Sequence, residues 1–76
     1  MIAKIYVTLK RGVLDPQGQA VARSLARLGF DEVKDARIGK YIELQVESTD
    51  ETRLKEMCEK LLANTVIEEY RVELVK

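Results

Sequence analysis

A strand–helix unit occurs twice in this chain of 76 residues, and this repeat is the strongest limit on its fold. Sliding the sequence by 37 positions superimposes the alternating apolar residues of one strand on those of another. The aligned pairs are Ile5 with Ile42, Val7 with Leu44 and Leu9 with Val46. The same shift aligns two amphipathic helical stretches. Two strand–helix–strand halves in so short a chain predict a split βαβ sandwich with little chain left over for an active site.

The first half carries clear signals for one strand and one helix. Strict apolar–polar alternation over residues 3–10 predicts a strand with one covered face. Asp15 suits the helix N-cap and Pro16 the first helical position, while Gly29 suits the left-handed residue that ends the helix. The stripe expected to be buried in this helix comprises Ala20, Val21, Leu25 and Leu28.

The second half begins with a weaker, more charged strand predicted over residues 33–38 at a sheet edge, followed by a hairpin turn at Gly39. A third strand follows over residues 41–47, and a last one runs from about residue 66 to residue 75. A capping box of Ser48 and Glu51 opens the second helix, and Asn64 is expected to end it. Its predicted buried stripe comprises Leu54, Met57, Cys58, Leu61 and Leu62, and Tyr70, Val72 and Leu74 of the last strand are expected to point inward.

The element order βαββαβ with right-handed crossovers predicts one α+β domain over residues 1–76, a ferredoxin-like sandwich. Its antiparallel four-stranded sheet would carry both helices on one face and leave the other face open. Two tyrosines on that open face favour a seam between copies of the chain, although a polar face with scattered aromatics is the alternative. The residues predicted for self-association are Tyr6, Thr8, Tyr41 and Glu43, with Gln45 beside them.

Composition also favours association. So small a domain buries only about 60% of its unfolded surface and usually needs a disulfide, a metal or a partner. A single cysteine forms no internal disulfide, and without histidine no zinc site has its usual ligands, so we expect a homo-oligomer. Thirteen basic residues balance thirteen acidic ones, which argues against nucleic acid and anionic membranes as partners. Without an apolar run of 18 residues or a signal-peptide pattern, we expect a cytoplasmic protein.

The sequence offers no catalytic set. Histidine, the usual general base near neutral pH, is absent. Cys58 lies within the apolar stripe of the second helix and is interpreted as core rather than nucleophile. Glu68 and Glu69 are neighbours on one strand, so their side chains point to opposite faces. We therefore expect no catalytic, metal-binding or cofactor-binding residue in this chain.

One cluster could have a function in binding. In a βαββαβ domain, three connections emerge at the same end of the sheet, near the positive end of the first helix. They carry Lys10 and Arg11, then Arg37 and Lys40, then Asn64 and Thr65. The cluster fits contact with an acidic partner surface or an anion, and it equally fits a set of solvated loop charges.

Three stretches of the chain resemble the PurS family, the small subunit of bacterial and archaeal phosphoribosylformylglycinamidine synthase. They are residues 6–10 (YVTLK) with 14–18 (LDPQG), residues 35–44 (DARIGKYIEL) and residues 58–70 (CEKLLANTVIEEY). Together they extend over nearly the whole chain, and their order and spacing are far more specific than any one motif.

The resemblance implies a non-catalytic subunit of an ATP- and glutamine-dependent amidotransferase in purine biosynthesis. That enzyme converts formylglycinamide ribonucleotide to formylglycinamidine ribonucleotide, with ammonia released by a glutaminase subunit and substrate activated by a synthetase subunit. The small subunit would bridge the two and help to retain ammonia, while the partners handle ATP, glutamine and magnesium. No catalytic residue carries over. Arg37 and Lys40 match the family motif without a structural explanation in the sequence, so they are the favoured docking residues.

Two other readings remain open. A small-ligand regulatory domain of the ACT type has the same element order and would use a glycine-containing strand–helix loop, for which Gly12 is the nearest candidate. An acylphosphatase-like enzyme needs an anion-cradling loop after the first strand, and residues 11–14 are too apolar for that function.

Overall fold

A three-stranded antiparallel sheet forms the centre of the protein. The computed structural model describes residues 1–47 and 50–75. The strands are β1 (Ile2–Leu9), β2 (Gly39–Gln45) and β3 (Glu68–Val75), in the order β2-β1-β3. Ile2 lies opposite Gln45 on one side and Val75 on the other. The α+β class and the ferredoxin-like topology are confirmed, with three strands in the described ranges where four were expected.

The core lies between the sheet and the second helical segment. Alternate residues of β1 point into it, and Ala3, Ile5 and Val7 are buried. Leu54 and Cys58 are buried from the helical side, which confirms the interpretation of Cys58 as core. Five further apolar residues are partly buried and pack against this core: Ile42, Leu44, Leu62, Tyr70 and Val72.

The predicted second strand and the hairpin turn after it are wrong. Residues 33–38 have no regular secondary structure and pair with no strand in the described part of the chain. Gly39 is the first residue of β2 and lies opposite Thr8. A Cβ at Gly39 would lie 2.3 Å from the Val7 carbonyl oxygen, so the glycine serves a close approach of two strands. The chain therefore runs straight from residues 33–38 into β2.

Helix α1 (Pro16–Arg27) begins and ends as predicted but projects away from the sheet. Asp15 caps its N-terminus, and Gly29 beyond its C-terminus has a φ of 99°. The expected burial of its stripe is wrong, since Leu28 is 72% exposed and Val21 is 39% exposed. The radius of gyration of 15.5 Å exceeds the value of about 11 Å expected for a compact chain of this length. The excess reflects this projecting arm.

Helix α2 (Glu51–Met57) continues as a π-helical segment, Cys58–Leu62. Its N-cap is Asp50, whose side chain accepts from the Arg53 amide at 2.9 Å. The predicted capping box includes Ser48, which lies outside the described residues. The wider π turn changes the phase of the apolar stripe, so Leu61 is 83% exposed instead of buried.

Asn64 does not end this segment as a left-handed residue, because no described non-glycine residue has a positive φ. The cap is Ala63, in an extended conformation. The last strand begins at Glu68, two residues later than predicted, and its inward residues Tyr70, Val72 and Leu74 are half-buried as expected.

Candidate partner-docking surface

The three predicted groups of residues do lie together at one end of the sheet, although the second group leads into β2 instead of forming a hairpin. Leu9 at the end of β1 is paired with Glu68 at the start of β3, and the Lys10 amide donates to the Ile67 carbonyl at 2.9 Å. Gly39 opens β2 at the same end. The predicted docking residues, all exposed at this end, are Lys10, Arg11, Arg37, Lys40, Asn64 and Thr65. Their shared location is confirmed, and their role in docking stays a prediction.

Arg37 has a structural function that the sequence did not suggest. Its Nη2 donates to the carbonyls of Lys10 at 3.0 Å and Leu9 at 3.3 Å, and its Nη1 donates to the Val13 carbonyl at 3.3 Å. One planar guanidinium thus satisfies three backbone acceptors of the β1–α1 connection. Local signals in the sequence could not reveal this, because the partners lie 24 to 28 positions away.

Asp15 holds the same connection from the other side. Its Oδ1 accepts from the Gly18 amide at 2.9 Å, as an N-cap does, and its Oδ2 accepts from the Ile38 amide at 2.8 Å. These hydrogen bonds, that from Ile38 first, and the nearby Arg37 charge keep the pKa of Asp15 below its usual value. The carboxylate is only 5% exposed and both of its oxygens are engaged.

Gly18 permits a close contact between α1 and the segment before β2. A Cβ at this position would lie 2.1 Å from the Ala36 carbonyl oxygen, so only glycine fits without a backbone shift. We call Asp15, Gly18, Arg37 and Ile38, with their contacts, the motif clasp. It joins the LDPQG and ARIGK stretches and sets the direction in which α1 leaves the sheet.

Asn64 also has a structural function. Its Oδ1 accepts from the Val66 amide at 3.1 Å, and its own amide donates to the Glu68 carboxylate at 2.7 Å. These bonds shape the connection into β3. Of the predicted docking side chains, Lys10, Arg11 and Lys40 therefore remain as exposed cations at this end, suited to pairing with carboxylates on a partner surface.

The open face of the sheet carries an aromatic and charged network. The rings of Tyr6 and Tyr41 lie 5.1 Å apart, and the Arg71 guanidinium sits 4.3 Å above the Tyr6 ring. The Tyr41 hydroxyl donates to the Glu43 carboxylate at 2.8 Å, and that of Tyr6 to Glu73 at 3.4 Å. Desolvation first, and then Glu43, raise the pKa of Tyr41 to about 12. Three of the four residues predicted for self-association, Tyr6, Tyr41 and Glu43, belong to this network, and the seam itself stays a prediction.

Two further titratable groups, the Cys58 thiol and the Tyr70 hydroxyl, lie close to Glu59. Burial, together with the Glu59 charge, raises the pKa of the Cys58 thiol, so it has little thiolate character at neutral pH. The Tyr70 hydroxyl donates to Glu59 at 3.4 Å. Within residues 1–47 and 50–75, no group of three or more histidine, cysteine, aspartate or glutamate residues is placed to hold a metal ion.

Comparison with known proteins identifies the family of this chain. The sequence profile named PurS, phosphoribosylformylglycinamidine (FGAM) synthase, matches residues 2–76. The chain belongs to the PurS family. It is 58% identical over 74 residues to the Bacillus subtilis phosphoribosylformylglycinamidine synthase subunit PurS, covering 93% of this chain and 88% of that one. With the Synechocystis subunit it shares 55% identity over 75 residues, covering 93% and 75% of the two chains.

Solved structures agree with the family assignment. The Bacillus subtilis PurS structure in its C2 crystal form matches with a TM-score of 0.90 at 55% identity, covering 99% of this chain and 98% of that one. A chain of the Thermotoga maritima PurLQS structure matches with a TM-score of 0.80 at 34% identity, covering 99% of both chains. The expectation of a phosphoribosylformylglycinamidine synthase subunit is confirmed, and the comparisons give the ACT-type alternative no support.

Proposed function

We propose that this chain is the non-catalytic assembly subunit of phosphoribosylformylglycinamidine synthase, bridging a glutaminase subunit and a synthetase subunit and aiding ammonia transfer. The observation that carries the proposal is the motif clasp. Asp15 and Arg37, which lie in the stretches that resemble the family, hold a connection and a helix with their polar atoms bound to the chain's own backbone. Because these motif residues hold the backbone in place, they favour a structural function of the chain over a catalytic one.

The titratable groups support the same assignment. Asp15 has both oxygens occupied, and Cys58 is buried with a raised pKa, so neither is poised as a base or nucleophile. We therefore assign ATP, glutamine and magnesium to the partner subunits. The chain's contribution is the relative placement of those partners.

The docking end is the surface that we assign to these partners. Lys10, Arg11 and Lys40 are exposed there beside an ordered framework, since the clasp and the Asn64 turn fix the backbone beneath them. Cations on an ordered surface attract an acidic patch on the partner, and they help to orient the two proteins as they associate. The Thermotoga maritima PurLQS chain has the same fold over 99% of its length, which supports a place in an assembly of that kind.

For location, we propose the cytoplasm, together with the partner enzymes. No helix in the described ranges is long and apolar enough to cross a membrane. The cationic end is balanced by acidic residues elsewhere, so the whole chain has a formal net charge of zero.

Reconstitution tests the proposal. Purified synthetase and glutaminase are assayed with and without this chain, once with glutamine and once with added ammonium as the nitrogen source. We expect glutamine-dependent turnover to require the chain, whereas ammonium-dependent turnover persists without it, because the synthetase keeps its own chemistry. Equal glutamine-dependent rates with and without the chain would refute the proposal.

Charge reversal tests the docking end. Lys10→Glu and Lys40→Glu are expected to weaken co-elution with the partners, and Lys55→Glu on the exposed side of α2 is the matched control. Arg37 is unsuitable for this test, because its reversal would also break the clasp. Native sedimentation of each variant separates lost docking from altered self-association. Unchanged co-elution of both docking variants would exclude this surface.

A further inference from the structure

The connection between the second helical segment and β3 exposes an apolar residue at the docking end. Val66 is 80% exposed there, and its neighbour Ile67 is 41% exposed. Turns usually carry glycine, proline, asparagine, aspartate or serine at such positions. A single exposed valine is ordinary on a protein surface, so the order and the charge of its surroundings decide whether it has a function.

Hydrogen bonds hold this connection, residues 64–68, in one conformation, and we call it the Val66 turn. The Asn64 side chain accepts from the Val66 amide at 3.1 Å. The Asn64 carbonyl accepts from the amides of Ile67 and Glu68 at 3.1 and 2.7 Å, and its amide donates to the Glu68 carboxylate at 2.7 Å. The Ile67 carbonyl accepts from the Lys10 amide, which ties the turn to the end of the sheet. The backbone that presents Val66 is therefore ordered before any partner binds.

An ordered valine loses little conformational freedom when it is buried. Its side chain is branched at Cβ, so the χ1 angle is already restricted, and the turn restricts the backbone. Burial of most of the exposed side chain of Val66 strengthens binding by about 10-fold. This gain is available only to a partner that offers an apolar pocket.

Two cations lie beside the Val66 turn. Lys10 and Arg11 come directly after β1, and the bond from the Lys10 amide to Ile67 places them next to the turn. Both are exposed, and neither forms an ion pair with another residue in the described ranges. The Glu68 carboxylate is engaged within the turn. The apolar side chain thus has unpaired positive charge at its side, which is complementary to carboxylates.

We propose that Val66 is the central contact of the docking end and enters an apolar pocket rimmed by carboxylates on a partner subunit. This inference rests on the proposed function, which supplies that partner. Lys10 and Arg11 pair with the rim of the pocket and help to exclude water, as polar contacts do around the central residues of protein interfaces. A free anion would need the cations alone and would gain nothing from Val66, so a protein surface fits the turn better.

Asn64 then acts as a positioning residue. Its side chain holds the Val66 amide, and no contact of its own with the partner is required. Asn64→Ala is expected to weaken binding by about three-fold or more, because the turn loses a hydrogen bond that orders it. In a Val66→Ala background the same change should have almost no effect, since the side chain that it positions is gone.

Titration of the purified chain against purified synthetase, purified glutaminase and their mixture tests the proposal. We expect Val66→Ala to weaken binding to at least one of them by about 10-fold, and Val66→Glu by 100-fold or more, because a carboxylate would enter an apolar pocket with an acidic rim. Val75→Ala is the matched control, since Val75 is a half-exposed valine at the far end of β3. Its binding should stay within two-fold of that of the native chain.

Salt dependence separates the two parts of the contact. The double variant Lys10→Ala/Arg11→Ala should bind more weakly and with a smaller dependence on salt. Val66→Ala should bind more weakly with the salt dependence of the native chain. Circular dichroism and sedimentation of each isolated variant are expected to match the native chain, because the Val66 side chain is exposed within its own protein.

Three results would overturn the proposal. They are unchanged binding of both Val66 variants, an Asn64→Ala effect that persists fully in the Val66→Ala background, and an altered oligomeric state of the isolated Val66→Ala chain, which would make the turn a contact between copies. The proposed function fails separately. If the native chain binds and supports glutamine-dependent turnover while the Val66 variants do so equally well, this inference alone fails, whereas a native chain that binds no partner refutes both.

Discussion

Replacing Gly18 by alanine tests the motif clasp at its tightest contact. The new Cβ would lie 2.1 Å from the Ala36 carbonyl oxygen and 2.9 Å from the Asp15 carboxylate. Ordinary contacts of this kind begin at about 3.4 Å, so the backbone must separate by more than 1 Å. Because the obstacle is backbone, no side-chain rotation relieves it, and the overpacking cost reaches the upper part of the usual range, about 3 kcal/mol.

Helix propensity acts in the opposite direction. Alanine is favoured over glycine inside a helix by about 1 kcal/mol, so the net loss for Gly18→Ala is about 2 kcal/mol in the free energy of unfolding. For a domain of this size, such a loss lowers Tm by about 8 to 16 °C. Since chains of 76 residues have a total stability of roughly 4 to 11 kcal/mol, the effect should be large in any unfolding assay.

Urea and thermal unfolding at one fixed protein concentration measure this change. Gln19→Ala is the matched control, because this exposed neighbour in α1 tests helix propensity without the contact to Ala36. We expect the control to stay within about 0.5 kcal/mol of the native chain. A Gly18→Ala chain that is as stable as the native one, or more stable, would refute the close approach, because propensity alone predicts a gain.

Two further predictions concern ionisation. Tyrosinate absorbance should show Tyr41 titrating near pH 12, and Glu43→Gln should lower that pKa; because the folded pKa is raised, the stabilisation is present below pH 10 and is lost as the pH rises towards 12. A Tyr41 that titrates near 10 would contradict the geometry. The buried Cys58 thiol should react with a thiol reagent much more slowly in the native chain than in urea, and equal rates would contradict its burial.

Local signals accounted for much of the fold. The alternation in β1 is a nearest-neighbour property, and it correctly placed Ala3, Ile5 and Val7 in the core. Asp15 and Gly29 were predicted correctly for the same reason, since a cap depends on residues within one helical turn. The family resemblance then supplied the functional assignment, which no single motif of the chain could have given.

The predictions from sequence failed where contacts between residues far apart in the sequence determine the structure. Residues 33–38 have a strand pattern, but they pair with no strand in the described part of the chain. Leu61 fits an α-helical stripe, and the π-helical turn moves it to the surface. Arg37 was interpreted as a free surface cation. Its three carbonyl acceptors lie far away in the sequence, at the end of β1 and in the loop after it, and no neighbouring residue indicates them.

The central position of β1 has a consequence for folding while the chain is being translated. This strand is made first, yet one of its two neighbours is β3, which pairs Val75 with Ile2. At about 5 to 20 residues per second, the ribosome needs roughly 4 to 15 s for 76 residues. During that interval the most apolar strand of the chain stays uncovered on one side, so the nascent polypeptide completes its sheet only after translation has reached the last strand.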